Sequence, residues 1–251
     1  MKKILKRLIN LILQFNPKIE SGYETKQIGT TYGGYNVHDI FLEDPIIVSC
    51  GVGEDISFDI EMIEQHNAKV ILVDPTPRSI KYYEKLKNRF GKNGPKNYNE
   101  SGKIDPLLYD MSKVNNQNLL FESKAISKTN DKKLKLFYPL NNDHVSLSVN
   151  RKASNQKEFI ATTINLKNIM KKFSIEEIDI LKLDIEGAEL EVLEDIIDEK
   201  IFPKQILVEY DIRRTVNIKN ILILSKIHKK ILFHYKLINI NNKGDFTYLK
   251  K

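Results

Sequence analysis

The chain has 251 residues, 41% apolar and 29% charged, which is enough to bury the core of one ordinary domain and too apolar for a disordered chain. Its 40 Lys and Arg against 33 Asp and Glu give a net charge of +7, but only six of the cations are Arg, which phosphate and base readers favour, so no nucleic-acid partner is expected. One cysteine excludes an internal disulfide and an all-cysteine zinc site, and the five His show no paired metal-ligand spacing, so a reducing, cytoplasmic setting is expected.

The chain opens on a basic, apolar segment. Apolar residues at 4, 5, 8, 9, 11, 12, 13 and 15 fall at mostly helical spacing, with Lys2, Lys3, Lys6 and Arg7 on or near the other side and Asn16-Pro17 as the stop. The segment lacks the small-residue cleavage site of a secretory leader. Two partners stay open for residues 1–16: peripheral contact with an anionic membrane surface, or packing on the chain's own domain or a second subunit, hence an oligomer. No apolar run approaches the roughly 20 residues that span a bilayer.

After residue 27 the pattern alternates. PIIVSC (45–50) and KVILVD (69–74) read as buried strands, with helices expected over 54–66 and 79–90. Residues 91–117 read as a long loop, followed by strands over 119–126, 134–138 and 159–165. A helix is expected over 166–173, a strand over 178–184, a helix over 186–197, a strand over 205–210 and a helix over 218–232. Strands 235–240 and 246–249, separated by NNKGD, form a terminal hairpin. Alternating strands and helices imply a mostly parallel sheet with helices on both faces, to which the hairpin adds an antiparallel strand. Such sheets bind ligands at the carboxyl ends of their strands.

Four strand ends carry candidate chemistry. The first carries Gly51-Val52-Gly53-Glu54, where two glycines let the backbone turn tightly against a ligand. The dinucleotide fingerprint would need glycine at 56, and Ile56 stands there. The second ends in Asp74, 23 residues beyond Gly51, where an acid can accept both hydroxyls of an adenosine ribose. Together they point to a nucleoside-containing cofactor. The third is Lys182-Leu183-Asp184-Ile185-Glu186-Gly187-Ala188-Glu189, in which strand periodicity puts Lys182 and Asp184 on one side. Acids in the first helical turn also favour the helix dipole, which accounts for Glu186 and Glu189 but not for Asp184. The fourth is Glu209-Tyr210-Asp211, so that Lys182, Asp184 and Glu209 can converge.

These pieces resemble the FkbM-type methyltransferases, a branch of the class I S-adenosylmethionine-dependent fold. IDILKLDIEGAELEVLED (178–195) carries the match, with the Lys-x-Asp-x-Glu-Gly-Ala-Glu core at 182–189. TYGGYNV (31–37), IIVSCGVGEDISFD (46–59), VDPTP (73–77), ESKAIS (122–127) and NDHVSLS (142–148) are also similar to that family. The resemblance implies a seven-stranded sheet with an antiparallel seventh strand over residues 28–251, an acceptor-binding insertion around 91–162, and S-adenosylmethionine as methyl donor. By position it implies that Gly51 and Gly53 pass under the methionine part, Asp74 holds the ribose, Lys124 and Ala125 line the adenine pocket, and Tyr32 closes over the cofactor. Ser49 stands where many members carry Asp, which leaves Glu54 or Asp55 for the methionine ammonium group.

The resemblance further implies O-methylation of a sugar hydroxyl, on a nucleotide-activated sugar or a capsule or surface-glycan precursor. Such a hydroxyl needs a base, which contributes about 10²–10⁴-fold. The candidates are Asp184, with Glu209 and Lys182 around it, and His144. A rival mechanism places a divalent cation on Asp184, Glu209 or Asp211. No resident metal is expected. The alternatives from other classes are a nicotinamide oxidoreductase, opposed by Ile56 and the hairpin, and a catalytically silent binding module in glycan synthesis.

Overall fold

The computed structural model describes residues 17–38, 42–98, 102–140, 147–150, 153, 155–211 and 218–251. The amphipathic segment 1–16 and His144 lie outside them. The described chain begins with a short antiparallel ribbon, β1 (Lys26–Ile28) and β2 (Tyr35–Val37), in which Ile28 pairs with Tyr35. The alternating region follows: β3 (Ile46–Cys50), α1 (Ser57–His66), β4 (Lys69–Val73), α2 (Pro77–Lys87) and β5 (Leu119–Glu122). Next come β6 (Ala125–Ile126), β7 (Lys133–Phe137), β8 (Glu158–Ile164), α3 (Leu166–Phe173) and β9 (Ile180–Leu183). The chain closes with α4 (Glu189–Asp198), β10 (Gln205–Val208), α5 (Ile218–His234) and the hairpin β11 (Tyr235–Ile240) and β12 (Phe246–Lys250).

The large sheet has the order β11-β12-β10-β9-β3-β4-β5. β4, β3, β9 and β10 pair in parallel, and β12 runs antiparallel to both β10 and β11. The chain moves outward from β3 to β4 on one side and returns to β9 on the other. That reversal opens a crevice beyond the carboxyl ends of β3 and β9, where such sheets take their ligands.

Side chains on each strand alternate between the two faces. Val48, Cys50, Leu181, Leu183, Ile206 and Val208 pack with Ile169 of α3, Val192 and Leu193 of α4 and Ile231 of α5. Ile47, Val70, Leu72 and Ile180 pack with Phe58 and Ile60 of α1 and Tyr82 of α2 on the other face. Burial on both faces explains why these strands read as continuous apolar runs rather than alternating ones. The helix starts follow capping chemistry. Thr76 accepts from the Ser79 N–H with Pro77 in the first turn, and Asn165 accepts from the Asn168 N–H. Among the described residues no helix is long and apolar enough to cross a membrane.

The structure departs from the sequence expectation in three places. Residues 119–126, expected as one strand, divide into β5 in the large sheet and β6 in a separate sheet of order β6-β8-β7. The strands at 134–138 and 159–165 therefore pair with each other and do not extend the large sheet. The helix expected from Glu186 starts at Glu189, because Glu186 (φ 52°) and Gly187 (φ 112°) adopt left-handed backbone that no helix continues through.

Candidate active site

A cavity of about 410 Å³ occupies the crevice beyond β3, β4, β9 and β10. Its floor begins at Gly51. This residue has φ +86°, and a Cβ there would overlap the carbonyl oxygen of Asp184. Glycine thus serves two needs at once: a left-handed turn and direct contact between the ends of β3 and β9. The Asp184 N–H also donates to the Cys50 carbonyl at 3.0 Å, so the two strand ends are fastened to each other.

Asp74 ties the glycine loop to the end of β4. Its Oδ2 accepts from the Val52 N–H at 2.9 Å, the Gly53 N–H at 3.4 Å and the Ser79 hydroxyl at 2.9 Å, while Oδ1 accepts from the Thr76 N–H at 2.8 Å. A carboxylate offers about four lone-pair sites. Oδ2 is therefore filled and Oδ1 keeps one site, so Asp74 has room for one ribose hydroxyl rather than two.

Lys182 and Asp184 lie on the α1 side of the sheet, as their spacing required, and Lys182 meets Tyr35 of β2. The Lys182 ammonium donates to the Gly51 carbonyl at 3.1 Å and sits 5.1 Å from the centre of the Tyr35 ring. On the same ring, Lys243 of the hairpin loop lies 5.2 Å from the centre. Lys243 also donates to the carbonyls of Tyr32 at 2.7 Å and Gly34 at 3.0 Å, and pairs with Asp245 at 3.2 Å. Burial first, then the charges of Asp184, Asp245 and Glu209, hold the Tyr35 phenol well above its ordinary titration range, so it stays protonated. Beneath Lys182, the buried Asp59 carboxyl of α1 is pushed up to about 6 by burial, an effect that the Lys182 charge opposes.

The turn after β9 is clamped from above. The Glu186 carbonyl accepts from the Ser148 hydroxyl at 2.9 Å and the Val149 N–H at 3.3 Å, and a Cβ on Gly187 would overlap Asn150. Under this turn Glu189 is buried, with Oε1 accepting from the Gly187 N–H at 2.8 Å. Burial pushes its carboxyl up to about 8, with the charges of Asp211 and Asp184 adding to the effect.

The methyltransferase FkbM domain family matches residues 40–222, the stretch that supplies the glycine loop, Asp74, Lys182, Asp184 and Glu209. The chain belongs to the FkbM methyltransferase family. It is also similar to the crystal structure of methyltransferase FkbM from Methylobacillus flagellatus KT, with 12% identity and a TM-score of 0.45. That match covers 84% of this chain and 44% of the other, so the chain spans less than half the length of that protein. No curated protein matches it.

The FkbM cavity brings together most of the residues expected from sequence. Gly51, Gly53, Glu54, Asp74, Ala125, Lys182, Asp184, Glu209 and Tyr32 all line it. Tyr32 is half exposed at the mouth, its ring against Gly102. Glu54 is paired with Arg78 at 3.0 Å. Lys124 does not reach the cavity: its ammonium turns to Asp131 at 2.5 Å on the surface, and Ala125 with Ile126 supplies the wall instead. From the expected insertion, Leu134 and Leu136 of β7 with Leu147 and Val149 form an apolar wall, whereas among the described residues of 91–118 Gly102 alone lines it. Among the described residues no group of three His, Cys, Asp or Glu side chains could hold a metal ion.

Sequence reasoning missed Tyr35, Lys243, Asp59 and Glu189 as parts of the site. Asp59 carried a signal, since it falls three residues after Ile56 on the apolar stripe of α1. Tyr35 and Lys243 carried none of that kind, because Tyr35 lies on a three-residue strand and Lys243 in a hairpin loop, each brought in from a chain end.

Proposed function

We propose that the chain is an S-adenosylmethionine-dependent O-methyltransferase acting on a hydroxyl of a sugar, on a nucleotide-activated sugar or a capsule or surface-glycan precursor. The observation that carries this reading is the junction of Gly51 with Asp184, which sets a candidate base at the edge of the loop that would hold the cofactor. A seven-stranded sheet in which β12 runs antiparallel to β10 supports the class I methyltransferase reading.

The residues fit the cofactor. The left-handed Gly51 and Gly53 leave the loop open to a ligand, Asp74 keeps one acceptor site, and Ala125 and Ile126 offer an apolar surface for a base. The carboxylates of Glu54, Asp55 and Asp184 suit a cationic ligand. S-adenosylmethionine, when bound, supplies an electrophilic methyl group on a sulfonium. The work left to the chain is positioning, worth up to roughly 7–11 kcal/mol, and removal of the acceptor proton. In this reading Asp184 takes the hydroxyl proton as the oxygen–methyl bond forms. Lys182 and Glu209 shape its surroundings, and His144 stands in reserve. The apolar wall of Leu134, Leu136, Leu147 and Val149 excludes water from the acceptor. Family membership takes the place of the nicotinamide reading.

The test is a methyl-transfer assay over sugar nucleotides and saccharides, read by mass spectrometry. One methyl group on a sugar oxygen supports the proposal. Cofactor binding with no methylated product on any hydroxyl, or methyl found only on nitrogen, carbon or sulfur, overturns it.

A further inference from the structure

We propose that the groove between α2 and residues 103–107 is a second binding site, taking a phosphate ester with an apolar body. It lies beside the cofactor cavity, and among the described residues Glu54 alone lines both.

The groove encloses about 470 Å³, within the range of small-molecule sites. One wall is the end of α2. Tyr82, Lys85 and Arg89 follow one another at intervals of three and four residues, which places them on one face of the helical turns. The other wall is Lys103, Ile104, Pro106 and Leu107. The two walls are fastened to each other. The Tyr82 hydroxyl donates to the Ile104 carbonyl at 2.7 Å, and the Ile104 N–H donates to the Glu54 carbonyl at 2.9 Å. Asp105 Oδ1 accepts from the Leu107 N–H at 2.9 Å and so fixes the turn that carries Pro106 and Leu107. The groove is therefore built into the fold and needs no rearrangement to form.

Its charge favours an anion. Lys85, Arg89 and Lys103 line it against Glu54 and Asp105, and both acids are engaged, Glu54 with Arg78 at 3.0 Å and Asp105 with the Leu107 N–H. Lys85 has no acidic partner among the described residues. Arg89 gives one N–H to the Asn93 carbonyl and keeps its Nε–H without a partner. A guanidinium carries five donors in a fork that matches phosphate, and an ammonium serves the same anion as a point charge. The dipole of α2 accounts for Lys85 in its last turn but not for Lys103 on the opposite wall. Cations from two walls over one cavity fit an anion held between them.

The rest of the lining sets the body of the ligand. Leu107 is 59% exposed and stands with Ile104 and Pro106 along the same groove. Covering that aliphatic strip removes apolar surface from water, so a phosphate esterified to an apolar group gains more here than inorganic phosphate does.

The probe is phenyl phosphate, titrated by calorimetry with inorganic phosphate and phenol as controls, each with and without S-adenosylhomocysteine. Phenyl phosphate is expected to bind more tightly than inorganic phosphate, phenol not at all, and S-adenosylhomocysteine to leave both affinities within twofold. Lys85→Gln combined with Lys103→Gln, two exposed positions, should weaken phenyl phosphate at least tenfold with an unchanged denaturation midpoint. Leu107→Ser should bring phenyl phosphate to within twofold of inorganic phosphate. Sedimentation with phosphatidylcholine vesicles carrying phosphatidic acid decides the source of the ester: sedimentation lost in the same double variant assigns a lipid phosphate, and none in wild type assigns a soluble one. Absence of phenyl phosphate binding at millimolar concentration, an affinity unchanged in the Lys85 and Lys103 double variant, or displacement by S-adenosylhomocysteine, which would put the probe in the cofactor cavity, overturns the proposal.

Discussion

Glu189 gives a prediction that needs neither cofactor nor acceptor. Its carboxyl titrates at about 8 in the folded chain against an ordinary 4.5, chiefly because burial under the 184–189 turn strips its water. Below pH 4.5 it is protonated in both states, and its contribution to stability is fully present. As pH rises from 4.5 through about 8, the unfolded chain releases the proton first, so the folded state loses stability across that window. At about 1.4 kcal/mol for each pH unit, the ceiling on the loss is about 5 kcal/mol. Glu189→Gln keeps the oxygen that accepts from the Gly187 N–H at 2.8 Å and removes the titration. Urea denaturation from pH 5 to 9 should show the variant equal to or below wild type at pH 5 and above it at pH 9. Parallel curves across that range would falsify the account of the turn as a shelter for a neutral carboxyl.

Three further outcomes follow from the same geometry. Asp184→Asn should lower turnover at least about a hundredfold while calorimetry shows cofactor affinity within a few fold of wild type, and near-normal turnover would remove Asp184 as the base. Gly51→Ala forces a side chain into left-handed backbone and onto the Asp184 carbonyl, which should destabilise the fold by more than the roughly 1–3 kcal/mol of the backbone strain alone; an unchanged denaturation midpoint would contradict the close approach of β3 and β9. His228, packed beside Tyr248 with Nδ1 2.7 Å from its hydroxyl, is lowered to about 4 by burial, so stability should fall as pH drops from 6.5 towards 4, and His228→Phe should flatten that limb.

The large sheet was legible because its central strands are buried on both faces and read as unbroken runs: PIIVSC, KVILVD, IDILKLD and QILVEY each contain the strand that forms. The glycine loop and Asp74 were legible because a turn and a strand end constrain residue type locally. The second sheet was not, since β5 and β6 are separated by only Ser123 and Lys124, and periodicity carries no mark of a strand leaving one sheet for another. The ribbon β1–β2 has three residues in each strand, too short for any period to register. Its tyrosine reaches the site through tertiary contacts with Lys182 and with Lys243, the latter more than two hundred residues away along the chain. Lys124 shows the opposite failure: a sequence position beside the pocket does not decide where a long, flexible side chain points when Asp131 is within reach.

The central claim is that the cavity between Gly51 and Asp184 is a cofactor site. A crystal structure of the chain grown with S-adenosylhomocysteine tests it most directly. The account predicts the ligand over Gly51 and Gly53, with a ribose hydroxyl on Asp74 Oδ1 and the sulfur on the side of Asp184. A ligand bound elsewhere, or an empty cavity at saturating concentration, would contradict it.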